Sequence, residues 1–85
     1  MREFDYVIKD ETGIHARPAG LLAKTARELE STVTISKGEK SAVVTKIMAV
    51  MGMSIRCGDT VKITIEGGNE EHAEKIIKNF FEENL

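Results

Sequence analysis

The chain has a single cysteine, Cys57, which excludes an internal disulfide and any paired-thiol metal or redox site. This usage suits a reducing cytosol, so the expected compartment is the cytoplasm. A metal carrier needs clustered ligands, and one thiol with His15 and His72 far apart in sequence supplies none, so neither metal nor cofactor is expected. Aromatic residues make up only 5% of the chain, and Phe4, Tyr6, Phe80 and Phe81 read as core, not as a base-stacking platform. With a formal net charge of -2 there is no general pull toward nucleic acid, and electrostatic recognition must be local. No apolar run approaches the roughly 18 to 20 residues of a membrane span. Met1-Arg2-Glu3-Phe4-Asp5 lacks a signal-peptide core, so no membrane insertion is expected. Repeats, low-complexity tracts and linkers are also missing, which leaves residues 1–85 as one domain, too short for a deep cleft plus a second lobe. A small carrier or binding module is the class that remains.

What is present is an alternation of two periodicities. Phe4, Tyr6 and Ile8 alternate with Asp5 and Lys9 and predict a first strand, broken by Asp10-Glu11-Thr12-Gly13. Between Ala16 and Leu29 the residues Ala19, Leu22, Ala23, Ala26 and Leu29 recur at helical spacing and define a buried stripe. Leu21 falls on the opposite side beside Arg17, Lys24 and Glu28, an exposed apolar residue among charges. Val33 and Ile35 mark a second strand, and Lys37-Gly38-Glu39-Lys40 turns it into a third from Ser41 to Val44. Thr45 is the expected cap of a short helix from Lys46 to Met51, closed by Gly52. Ile47, Met48, Val50, Met51 and Met53 are too dense for one helical face, so some must be exposed. Val61, Ile63 and Ile65 form the last strand, and Asn69 caps a closing helix that buries Ala73, Ile76, Ile77, Phe80 and Phe81. The order βαββαβα, with one apolar face per strand, predicts an α+β fold: a two-layer open-faced sandwich of a four-stranded antiparallel sheet with three helices on one face.

The chemistry gathers at Gly13-Ile14-His15-Ala16-Arg17-Pro18, where a histidine stands ahead of a helix. A helix N-terminus exposes unpaired N–H groups and partial positive charge, so it holds an anion well. Neutral imidazole is a nucleophile, Arg17 brings a fixed cation, and Pro18 sits in the opening turn where a missing N–H costs nothing. His15 is therefore the candidate phosphoryl acceptor, with Ala16, Arg17 and Pro18 as the phosphate-binding residues. Taken alone, a histidine before a helix is more often a cap or a surface residue. His72, in the first turn of the last helix among acidic residues, reads as surface.

The motif together with Lys46-Ile47-Met48-Ala49-Val50-Met51 and the pair Gly58-Asp59 resembles the histidine-containing phosphocarrier family, HPr, of the bacterial phosphoenolpyruvate-dependent sugar phosphotransferase system. The likeness runs from the first strand to the last helix. It implies a phosphoryl relay: phosphorylated enzyme I passes its group to Nδ1 of His15, which hands it to the IIA domains of sugar transporters. It also implies a sheet in the order first, fourth, second, third strand, and a phosphoryl-group carrier, not an enzyme. Many relatives carry at the start of the second helix a serine that an ATP-dependent kinase phosphorylates. Lys46 occupies that position here and cannot take a stable phosphate ester.

A carrier that visits two partners needs a docking surface more than a pocket. Leu21, Ile47, Met48 and Met51 are the expected apolar patch, rimmed by Arg17, Lys24, Arg27 and Lys46, and flexible methionines suit several partners. A monomer fits this traffic best. The alternative within the resemblance is a regulatory relative that docks to transcription factors or enzymes in a nitrogen- or carbon-control branch.

Overall fold

Alternation along each strand leaves one face that water rejects, and three one-sided helices cover it. The computed structural model describes residues 1–85. In chain order the elements are β1 (Arg2–Val7), α1 (Ala16–Arg27), β2 (Thr32–Lys37), β3 (Lys40–Val43), α2 (Ile47–Met51), β4 (Thr60–Glu66) and α3 (Glu70–Asn84). All strand pairs are antiparallel, and the sheet runs β1-β4-β2-β3.

Register explains why the sheet has two unlike faces. Phe4 pairs with Ile63, Ile63 with Ile35, and Ile35 with Ala42, so one apolar row crosses all four strands on the helix side. One residue along, Asp5, Lys62, Ser36 and Ser41 make the equivalent row on the open side. A slip of one residue would exchange these faces, so burial itself pins the pairing. Between β2 and β3 only Gly38 and Glu39 are unpaired, and Gly38 at φ 59° supplies the positive first position that a tight hairpin favours.

The core is continuous. Leu22, Ile35, Ile63, Ile65, Ile77 and Phe81 are fully buried, and Phe81 meets Phe4, Tyr6 and Phe80 edge-to-face at centroid distances of 6.2, 5.4 and 6.2 Å. The Tyr6 hydroxyl donates to the Phe81 carbonyl at 3.0 Å, and burial, helped by the nearby Glu82 charge, pushes its pKa up. α3 lies over β1 and β4, α2 over β3, and α1 packs against both other helices. Asn69 caps α3 as its sequence position predicts, accepting from the His72 N–H at 3.1 Å.

Two local expectations fail for identifiable reasons. Lys46, not Thr45, is the N-cap of α2: the Lys46 carbonyl takes the first intrahelical bond, from the Val50 N–H at 3.1 Å. The Lys46 N–H is already turned back onto the Val43 carbonyl at 2.9 Å, so the chain enters the helix one residue later than a threonine cap requires. Ile76, expected in the core, is 37% exposed. In α3 the buried line is Ala73, Ile77 and Phe81, spaced by four, which is all that a helix resting on a sheet with one flanking helix conceals.

Candidate functional site

The loop before α1 is built to present His15. The Asp10 side chain accepts from the Thr12 N–H at 2.8 Å and the Asp10 carbonyl from the Gly13 N–H at 2.9 Å, which closes a turn. Gly13 then adopts φ 69° and passes so close to Ile55 and Arg56 that no side chain fits between. Ile14 is buried and its N–H donates to the Ile55 carbonyl at 3.0 Å. With its neighbour anchored below, His15 is left half-buried at the surface as the N-cap of α1.

Its side chain does not cap the helix, so the ring is not committed to the role that histidines in such positions commonly play. The N–H groups of Ala16 and Arg17 have no partner within the protein; the first satisfied amide is that of Ala19, on the His15 carbonyl at 3.0 Å. Pro18 is buried, has no N–H to offer, and contributes shape only. The Arg17 side chain is exposed and makes neither a hydrogen bond nor an ion pair. No acidic residue stands in the first turn of α1 itself.

A shallow depression of about 260 Å³ is lined by Asp10, His15, Arg17, Pro18, Leu21 and Asn84. Four of these stand in or near the predicted motif. Asp10 and Asn84 do not, and sequence reading passed over them. They arrive because the end of α3 is pinned to the loop: the Leu85 carbonyl accepts from the Lys9 and Asp10 N–H groups at 2.6 and 2.9 Å. No helical or strand periodicity signals that contact.

The docking residues are divided. Leu21 is 43% and Met48 79% exposed, whereas Ile47 and Met51 are half-buried against the core and offer only part of their surface. Lys24, Arg27 and Lys46 are exposed. An Arg27 Nη2 contact to the Thr45 carbonyl at 3.4 Å ties the end of α1 to the start of α2, while Ile55, just beyond α2, is tied to Ile14. α2 therefore runs back along α1 toward His15. At about 1.5 Å per helical residue, the Arg27 backbone lies about 18 Å along α1 from His15.

Among the chain's other features, Cys57 is exposed on the loop before β4, and no cluster of three or more potential metal ligands exists. No helix is long and apolar enough to cross a membrane.

Comparison with known proteins agrees with the geometry. The PTS-HPr family model, described as the PTS HPr component phosphorylation site, matches residues 2–83. The phosphocarrier protein HPr of Mycoplasma capricolum subsp. capricolum is 40% identical over 78 residues, covering 92% of this chain and 88% of the relative. That of Mycoplasma genitalium is 36% identical over 85 residues, covering 99% and 97%. The solved structure of HPr-C-His from Thermoanaerobacter tengcongensis superimposes with a TM-score of 0.90 at 36% identity, over 96% of this chain and 92% of that one. These matches favour the relay over the regulatory alternative. A family match over nearly the whole fold, with relatives of this identity along nearly the full length, means that the chain belongs to the HPr family of phosphocarriers of the phosphotransferase system.

Proposed function

We infer that His15 accepts a phosphoryl group from phosphorylated enzyme I and donates it to IIA domains of sugar transporters, in the cytoplasm and as a monomeric carrier, not an enzyme. One observation carries this reading: a half-exposed imidazole uncommitted to capping stands beside two unpaired backbone amides and an unpaired guanidinium. On acceptance a ring nitrogen's lone pair forms a P–N bond as the donor histidine's P–N bond breaks; donation reverses this toward the next partner. The Ala16 and Arg17 N–H groups and the Arg17 side chain receive the phosphoryl oxygens, and Pro18 shapes the wall beside them.

The openness of the site belongs to the mechanism. A carrier must release what it binds, and a phosphoryl group held by exposed donors in water is bound less tightly than one in an enclosed pocket. Positioning and most charge stabilisation then come from the partner, docked on Leu21, Met48 and the exposed parts of Ile47 and Met51, with Arg17, Lys24, Arg27 and Lys46 steering acidic partner surfaces. Incubation with phosphoenolpyruvate and enzyme I should give an acid-labile mass gain of one phosphoryl group that His15→Ala abolishes. A gain that persists in His15→Ala, or none in the unmodified chain, overturns the reading.

A further inference from the structure

The loop between α2 and β4 is closed by one ammonium group. Lys37, the last residue of β2, places Nζ 2.7 Å from Asp59 Oδ2 and donates to the Ser54 carbonyl at 3.2 Å. The same Asp59 oxygen accepts from the Arg56 N–H at 2.8 Å. Ser54 stands at φ 54°, a left-handed conformation that a residue with a Cβ adopts reluctantly and keeps only when its surroundings hold it. Both ends of the segment from Ser54 to Asp59 are thus tied to a single side chain from another strand. Next to Ser54 lies the Ile55 carbonyl, the acceptor of the Ile14 N–H, and the Gly13 backbone rests on Ile55 and Arg56. None of these clamp residues lines the depression at His15.

We propose that Lys37 is a positioning residue for phosphoryl transfer: by clamping Ser54 and Asp59 it fixes the Ile55 carbonyl, and through Ile14 sets the height and orientation of His15. The inference rests on the relay reading for its kinetic part only. Lys37 is attached to β2 in the sheet, whereas Ser54, Ile55 and Arg56 are in irregular backbone outside any helix or strand, held by the buried Ile55 side chain and by single bonds such as the Ser54 N–H on the Met51 carbonyl at 3.2 Å. Without the ammonium, Ser54 can relax out of its left-handed conformation, and the carbonyl that supports Ile14 moves with it. In-line transfer is sensitive to such displacement, with losses up to about 100-fold for a shift of 1 Å.

The test compares Lys37→Met, which keeps the aliphatic stem, with Lys37→Arg, which keeps a cation able to bridge carboxylate and carbonyl. Asp59→Asn serves as a second variant that keeps an acceptor for the Arg56 N–H but loses the ion pair. With the carrier as substrate of enzyme I, Lys37→Met should lower kcat about fivefold or more at unchanged KM, Asp59→Asn less so, and Lys37→Arg should restore the rate. Amide exchange of Ile14 should quicken about tenfold in Lys37→Met while that of Ile63 in the sheet stays put. Normal kcat with unchanged Ile14 exchange overturns the proposal. So does a raised KM at constant kcat, which makes Lys37 a docking cation, or faster exchange at Ile14 and Ile63 alike, which makes it a general stabiliser. Should the unmodified chain take no phosphate at all, the relay reading fails, and Ile14 exchange alone decides whether the clamp exists.

Discussion

Gly13→Ala tests how the histidine is held, because two separate penalties meet at that position, while Gly38 carries only the first and Gly20 neither. At φ 69° an alanine must adopt a left-handed conformation, which costs roughly 1–2 kcal/mol. Its methyl group would also lie against the Ile55 carbonyl oxygen and 2.7 Å from the Arg56 Cα, both backbone atoms that yield only if the loop moves. Forcing such space costs about 1–3 kcal/mol more, for a total of about 2–5 kcal/mol. Gly38 shares the positive φ, at 59°, but has nothing near its virtual Cβ, so Gly38→Ala should lose only the backbone part, about 1–2 kcal/mol. Gly20, inside α1 with open space around it, should gain about 0.5–1 kcal/mol on becoming alanine. Urea unfolding measures all three, and for a domain of this size each 1 kcal/mol moves Tm by about 4–8 °C. Equal losses for Gly13→Ala and Gly38→Ala would show that the close approach to Ile55 does not exist, and the account of how His15 is presented would go with it.

Met48→Asp should leave unfolding within about 0.5 kcal/mol of the parent, since the side chain is 79% exposed, yet weaken transfer from enzyme I and to IIA; unaltered kinetics remove Met48 from the docking surface. Phe81→Ala should cost about 3–5 kcal/mol, because it empties the position that three aromatic rings surround; a loss under about 1 kcal/mol in urea unfolding contradicts the packing. The Lys37 ammonium and then the Arg56 N–H hold Asp59 below its ordinary 3.8, and the Met1 ammonium and then the Gly67 N–H hold Glu70 below 4.5. Around those values the unfolded chain binds more protons than the folded one, so this stabilisation is complete above about pH 5 and disappears as pH falls through the depressed pKa values. Asp59→Asn should therefore flatten the fall in urea midpoint between about pH 5 and pH 3, and an unchanged pH profile refutes the assignment.

Local periodicity by itself determined the order βαββαβα, the layer arrangement, the exposure of Leu21 and the cap at Asn69, because each depends on residues within a turn or two of one another. The place of His15 ahead of α1, with Arg17 in its first turn, was equally legible, since a helix start is written in a few consecutive residues. Only the tertiary structure decided the width of each buried face. Ile76 is apolar and in phase yet exposed, and Ile47 and Met51 are only partly available to a partner, since concealment depends on what packs alongside and not on the helix's own pattern. Tertiary structure also decided everything at the site that joins distant segments: Asp10 and Asn84 at its rim, the Ile55 carbonyl beneath Ile14, and the Lys37 link across Ser54 and Asp59. Those contacts leave no periodic trace, because hydrogen bonds and ion pairs between loops are fixed by where the folded sheet and helices bring the chain, and many sequences satisfy them without a recurring signature.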